Sequence, residues 1–375
     1  MEDQRKPVFD DKTRTNGFPQ GEMVSTFEFF NDAAGSAWEP PRALIQEWMN
    51  HIEDEKEYSD MVERFRSKDD AQFRGVYLEL YLHEVLLKAG YSVTLHPEIP
   101  GSSKRPDFLV SRGNTKFYLE AIVPALSPSE HAQRKRENTV REALDRISDE
   151  NFKIFLIDLK GGKENPQAKK LRRKVEDWLS TLDPEEIKET GFYPVEEFSV
   201  DDWSIKVEPW IKKPESKDTR GIVGSFHSGA ERGYEDIYRG LKTKGKENKY
   251  GELDAPYLIA VGIYIWKDAD HFHIKKALYD TYESSGGYFG RSEEWKHQNV
   301  SGVLIVDQLD PYHFHTNTRT TLWLHPDAKH PLTEDINIPL TVVRKTEEGF
   351  IEEPGIRATE FFGLNEEWPE GTRFP

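Results

Sequence analysis

Residues 105–123 restrict the fold of this chain more than any other stretch. They read RPDFLVSRGNTKFYLEAIV, in which two apolar-rich runs flank Gly113-Asn114. A Gly-Asn pair between strand-like runs is typical of the two-residue loop of a β-hairpin. If these residues form the loop, Asp107 lies directly opposite Glu120, and both point to the same face of the hairpin. The pattern therefore predicts a hairpin with two carboxylates side by side.

Such an acid pair needs a compensating partner. Opposed Cβ atoms lie about 5 Å apart, and at an effective dielectric near 20 two charges there repel by about 3 kcal/mol. The pair is tolerated if one carboxyl is protonated, if a cation is near, or if a divalent metal bridges the two. A different loop register, with both acids on a solvated face, is the alternative.

Composition excludes several classes of protein. The 375 residues are 36% hydrophobic and 12% aromatic, as in a globular chain with a substantial core. The absence of cysteine excludes disulfides, zinc–thiolate sites and cysteine nucleophiles. The polar start has no apolar leader, and no run approaches 18 apolar residues. We expect a cytoplasmic protein without a membrane span.

The net charge of −17 counts against a broad surface that coats nucleic acid. A local basic groove is still compatible with it. Basic clusters occur at 134–141 and 169–174, both in helix-like stretches. Solvated helix faces, offset by nearby acids, explain these clusters equally well.

Periodic patterns predict alternating helices and strands. Helices are expected at 41–56, 57–67, 70–89, 128–148, 166–182, 231–249 and 272–281. Besides the hairpin, strands are expected at 91–96, 153–159, 256–266 and 301–307. The run at 256–266 is almost continuously apolar, which is typical of a central strand buried on both faces. This alternation predicts an α/β or α+β fold with a mixed central sheet flanked by helices.

The same patterns divide the chain. An irregular and helical N-terminal region covers 1–69, and a core covers 70–310. The core carries an insertion of short strands and loops at 183–228. Residues 311–375, rich in proline and acids, are expected to be an extension packed on the core.

The order helix, strand, strand, strand places three acids in a recognisable sequence. Glu79 lies in the helix, Pro106-Asp107 opens the hairpin and Glu120-Ala121-Ile122 closes it. This order resembles the PD-(D/E)XK nuclease superfamily, and the wider pattern looks like an uncharacterised bacterial group within it. The motifs cover 79–122. The helix-strand-helix elements that follow fit the rest of a restriction-endonuclease-like core, so the resemblance extends over much of 70–265.

The resemblance implies roles for these acids. Asp107 and Glu120 would bind Mg²⁺ or Mn²⁺, with Glu79 as a third acid; hard oxygen ligands suit both ions. Glu84 is a rival to Glu79, but Glu79 is followed by Leu80 as in the family pattern.

One position departs from the family. A lysine two residues after the Glu normally positions the attacking water, and here Ile122 occupies its place. Either another cation has replaced it or the site is inactive. The best substitutes are Lys246 and Lys249, before the buried strand, and Lys244 is a poorer candidate. Each is equally compatible with a solvated lysine near a helix C-terminus.

The first functional hypothesis is therefore a Mg²⁺-dependent nuclease that hydrolyses phosphodiester bonds of nucleic acid, with DNA expected before RNA. The alternative is a catalytically inactive nuclease-fold module that binds nucleic acid or protein. The loss of the motif lysine and the acidic net charge motivate this alternative. A homo-oligomer is left open.

Histidines and tryptophans offer further hypotheses. His271-Phe272-His273 and His313-Phe314-His315 would each point both imidazoles one way on a strand and could ligate zinc, with Asp268 or Asp270. Five tryptophans could stack on bases, although packing is their commoner role. They are Trp203, Trp210, Trp266, Trp295 and Trp323.

Overall fold

The computed structural model describes residues 5–21, 24–124, 128–212, 221–225, 233–246, 249–263, 271–279, 287–291, 294–333 and 335–374. The helices are α1 (Thr26–Asp32), α2 (Glu39–Asn50), α3 (Glu55–Phe65), α4 (Asp70–Lys88), α5 (Pro128–Asp145), α6 (Ala168–Leu179), α7 (Pro184–Thr190), α8 (Gly233–Lys244), α9 (His271–Leu278) and α10 (Ala358–Phe362). A single 3-10 turn, Ser36–Trp38, precedes α2.

The strands are β1 (Ser92–Leu95), β2 (Phe108–Arg112), β3 (Thr115–Ile122), β4 (Phe152–Lys160), β5 (Glu196–Val200), β6 (Trp203–Ile211), β7 (Ile222–Ser225), β8 (Tyr257–Ile263), β9 (Gly290–Arg291), β10 (Glu294–Trp295), β11 (Gly302–Asp307), β12 (Arg319–Leu324), β13 (Thr341–Lys345) and β14 (Phe350–Pro354). The predicted mixed α/β class with a large central sheet flanked by helices is confirmed.

The chain divides into two compact units. The first contains Met1–Gly17, Ser25–Ala125 and Ala230–Pro375, and the second contains Phe18–Val24 and Leu126–Gly229. The strands within the predicted insertion at 183–228, β5 to β7, belong to the second unit and form a sheet with β4 in the order β5-β6-β4-β7. Helices α5 and α6 cover an apolar cluster on that sheet, which includes Leu144, Leu171 and Trp203.

The first unit is built on an eight-stranded sheet. Its order is β1-β2-β3-β8-β11-β12-β13-β14. Strands β1, β2 and β3 are antiparallel neighbours, β8 runs parallel to β3, and β11 runs parallel to β8. Every residue of β8 is buried, as expected of a strand covered on both faces. The C-terminal extension, expected only to pack on the core, supplies β12, β13 and β14 to this sheet.

Strand β3 separates two apolar cores because successive side chains point to opposite faces. Phe117, Leu119 and Ala121 join the core formed with the N-terminal helices and α4. Tyr118 and Ile122 join the other core, formed with residues of α8, β8 and α9. Glu120 therefore belongs to the face that α8 covers.

Local signals explain where the site-bearing elements begin and end. The Asp69 side chain accepts a hydrogen bond from the Ala71 N–H at 2.9 Å, which caps α4 at its N-terminus. Gly113 has a φ of +58°, a conformation that glycine adopts without steric cost. Helix α8 ends at Lys244, earlier than the predicted end at residue 249. Within the described ranges, no helix is long and apolar enough to cross a membrane.

Candidate metal centre and its lysines

The hairpin has the predicted register. Phe108 pairs with Leu119 and Arg112 with Thr115, so the loop is Gly113-Asn114. Asp107 lies one residue before the ladder begins, opposite Glu120. Its Oδ2 accepts a hydrogen bond from the Ala121 N–H at 2.7 Å, which fixes the carboxyl at the end of the hairpin. The structure thus places the two predicted acids beside each other.

Glu120 is buried, with 1% of its surface exposed, and both carboxylate oxygens have donors. Oε1 accepts hydrogen bonds from Lys244 and from Lys249, the latter at 3.1 Å. Oε2 accepts a hydrogen bond from the hydroxyl of Tyr250. A buried charge is costly unless it is paired and hydrogen-bonded, and these three donors provide that compensation.

The cations come from the end of α8 and the segment after it. Lys244 is the last residue of the helix, and Lys249 follows the helix rather than lying within it. Lys246 lines a neighbouring cleft and makes no contact with Glu120. Of the lysines considered from the sequence, the preferred Lys249 contacts the acid, the preferred Lys246 does not, and the poorer candidate Lys244 does.

Ile122, in the place of the family's lysine, packs among apolar residues. It belongs to the core between β8 and α8, where its register partner on β8 is Val261. A lysine there would lie in apolar surroundings, whereas Lys244 and Lys249 reach Glu120 directly. The positive charge at the acid pair is therefore supplied from another part of the chain.

The electrostatics of the pair are asymmetric. Burial, reinforced by the negative charge of Glu120, raises the pKa of Asp107 from 3.8 to about 7. Burial acts to lower the pKa of Lys244, but the charges of Asp107 and Glu120 outweigh it and raise that pKa. Burial dominates at Lys249 and lowers its pKa. Lys244 thus holds its proton more firmly than a free lysine, and Lys249 less firmly.

Asp107 also borders a small cavity of about 10 Å³, which has room for about one water molecule. Glu79, the predicted third acid, lines this cavity too. Its carboxylate is held by Arg64 in a bidentate pair, with N–O distances of 2.7 and 2.6 Å. The structure therefore brings Glu79 near Asp107, but with its charge already compensated.

His96 is a member of this cluster that the sequence patterns did not indicate. Its Nε2 lies 3.9 Å from Asp107 Oδ1, and its Nδ1 lies 2.9 Å from Glu57 Oε2. Its φ of +43° is uncommon for a residue other than glycine, and such conformations concentrate at functional sites. Glu84, the rival of Glu79, instead contacts His83 and His51, at 2.8 and 2.7 Å.

The donor set suits a magnesium-like ion only in part. Across the described ranges, no group of three or more His, Asp or Glu side chains is arranged to hold a metal. Mg²⁺, however, is commonly bound by one or two carboxylates, with substrate phosphates and waters as the other ligands. Asp107 and Glu120 satisfy that smaller requirement. The raised pKa of Asp107 is also what an acid pair short of positive charge shows.

The histidine pairs do not meet the geometry expected of a zinc site. His271 and His273 lie on helix α9, where residues two apart do not face the same way. His313 lies near Asp310, whereas the Nε2 of His315 contacts the Asn365 carbonyl. The expected partners Asp268 and Asp270 lie outside the described residues.

The fold and site together define a mixed α/β protein with a buried carboxylate pair neutralised by two lysines and a tyrosine. No family model, curated protein or solved structure matches the chain. Its function is therefore inferred from the geometry of these residues.

Proposed function

We propose that the protein is a divalent-metal-dependent nuclease that hydrolyses phosphodiester bonds of nucleic acid. The observation that carries the proposal is the juxtaposition of Asp107 and Glu120 with Lys244 and Lys249. Two carboxylates and a cation at the end of a hairpin are the groups that such hydrolysis requires. The succession α4, β1 to β3, α8 and β8, with β8 parallel to β3, supports the same proposal because it agrees with the element order of the resembling superfamily.

Asp107 and Glu120 would hold Mg²⁺ or Mn²⁺. The bound ion would polarise the phosphate and lower the pKa of a water molecule. Lys244, whose pKa is raised, keeps its charge and is suited to stabilise negative charge on the phosphate. Lys249, whose pKa is lowered, is suited to exchange a proton with water at the acid pair. Glu79 acts indirectly, because its charge and that of Glu120 raise the pKa of Asp107.

A second candidate function is an inactive nuclease-fold module that binds nucleic acid or protein. The specific observation in its favour is that protein donors occupy both oxygens of Glu120. A metal must compete with these donors, which an inactive site would never need to allow. The two candidates differ in whether the acid pair binds a divalent ion.

Calorimetric titration with Mn²⁺ tests the proposal directly. We expect the unaltered protein to bind Mn²⁺ and Asp107→Ala to lose that binding, because Asp107 supplies half of the carboxylate pair. Asp254→Ala is a matched control, since Asp254 is an acid bound by a lysine and a tyrosine but is mostly exposed. Binding that survives in Asp107→Ala, or its absence from the unaltered protein even with an oligonucleotide present, would favour the inactive module.

The two lysines are expected to differ from their neighbours in cleavage assays. Lys249→Met should lower Mn²⁺-dependent cleavage of a labelled oligonucleotide by about 100-fold, as expected for loss of a positioned proton donor or acceptor. Lys242→Met, an exposed lysine of the same segment, is the control and should cleave as the unaltered protein does. Equal activity of the two variants would remove Lys249 from the site.

A further inference from the structure

A cleft of about 640 Å³ opens in the first unit beside the acid pair. It is shared by the segment after α8, the segment after β10 and the segment after β12. Lys249 and Tyr250, which contact Glu120, also line this cleft. The cleft therefore begins where the proposed chemistry would take place.

The cleft is basic although the chain as a whole is strongly acidic. Lys246, Lys249, Lys296 and Lys329 line it, against two acids. One acid, Glu252, is paired with Lys329 at 2.9 Å, and the other, Asp327, accepts a hydrogen bond from a glutamine at 2.5 Å. Lys246 and Lys296 are exposed. Neither ammonium group forms an ion pair with any residue that the structure describes. Positive charge concentrated in this way favours an anionic ligand.

The cleft also offers groups that recognise a base. Trp295 lines it and is half-buried, with its indole held edge-to-face against Tyr279 and His325. Asn299 lines it as well, and its Oδ1 is buried without a hydrogen-bond partner among the described residues. A positively charged groove with an aromatic side chain is the usual arrangement for binding an unpaired nucleotide, because every base has a face that can stack.

We infer that this cleft binds about one or two nucleotides of a single-stranded nucleic acid, adjacent to the bond that the acid pair would cleave. The inference rests on the proposed nuclease function for its substrate class. Lys246 and Lys296 contact phosphates, and Trp295 stacks on a base. A volume within the usual range of small-ligand sites holds a short length of one strand, and stacking on Trp295 requires that its base be unpaired.

Fluorescence anisotropy with a labelled oligothymidine tests this inference. The buffer contains EDTA, so binding is measured without metal or cleavage, and a duplex of equal length is the comparison. We expect the single strand to bind more tightly than the duplex. The double variant Lys246→Ala with Lys296→Ala should weaken single-strand binding about 10- to 30-fold at about 0.1 M salt, because two phosphate contacts are lost. Its log–log salt slope should fall in magnitude from about 2 to about 0.7.

Matched variants keep the outcomes distinct. Lys56→Ala with Lys88→Ala removes the same charge from exposed helix positions of the same unit and should leave binding almost unchanged. Trp295→Leu should lower the preference for the single strand, and Trp295→Phe should restore it. Tighter binding of the duplex, or equal weakening by both double variants, would overturn the inference. Cleft-dependent binding without Mn²⁺ binding would retain the inference and reject the nuclease proposal, and the reverse result would do the opposite.

Discussion

Glu120→Gln is expected to lower the free energy of unfolding by about 3 kcal/mol. The substitution keeps the shape of the side chain but leaves Lys244 and Lys249 without the negative charge between them. Removing one partner of a buried ion pair typically costs about 3–5 kcal/mol. The lower end applies because the side chains of these two lysines are 26% and 18% exposed and can turn partly towards water. Urea unfolding of both proteins near neutral pH measures the difference.

Asp254→Asn provides the control for this prediction. Asp254 accepts hydrogen bonds from Lys116 and from the hydroxyl of Tyr118, so its partners match those of Glu120 in kind. Its side chain is 69% exposed, however, and exposed pairs contribute at most about 1 kcal/mol. Equal losses in the two variants would show that burial does not strengthen the pairing at Glu120.

Asp107→Asn is expected to stabilise the protein increasingly as the pH rises. The pKa of Asp107 is about 7 in the folded chain, against an ordinary value of 3.8. The stability associated with its proton is therefore fully present below 3.8 and is lost as the pH rises to about 7. Each pH unit between these values costs the folded state about 1.4 kcal/mol. The asparagine is always neutral, so it avoids a loss of about 4 kcal/mol.

This second prediction is checked by urea unfolding in EDTA at about pH 5 and about pH 8. The gain from Asp107→Asn should be about 2 kcal/mol larger at the higher pH. Asp254→Asn should show a small loss instead, because the hydrogen bond from Lys116 lowers the pKa of Asp254. A gain for Asp107→Asn that does not change with pH would mean that Asp107 is ionised throughout this range.

Local signals in the sequence were sufficient for the hairpin and its helix. Gly113-Asn114 determines the register, and the register alone places Asp107 opposite Glu120. The apolar spacing over 70–89 predicted α4 to within one residue of its observed end at Lys88. Both features depend on contacts between residues close in the chain, where loop chemistry and periodicity have most influence.

Long-range packing determined the rest of the site. The helix before β8 was predicted to reach residue 249, but it ends at Lys244, so Lys246 was preferred wrongly to Lys244 as a partner of Glu120. His96 and Glu57 meet across 39 residues of chain, and no local pattern indicates that they do. Likewise β12 and β13 follow proline-rich acidic segments, and only the exposed strand edge left by β11 gives their short apolar runs a place in the sheet.

The connectivity of the chain separates the acids of the site from their lysines. Glu120 precedes Lys244 by 124 residues and Lys249 by 129, and most of the second unit lies between them. At synthesis rates of about 5–20 residues per second, the hairpin acids leave the ribosome about 6–25 s before those lysines are made. During that interval the nascent chain carries the acid pair without its neutralising cations. The cluster can therefore assemble only after the second unit has been made.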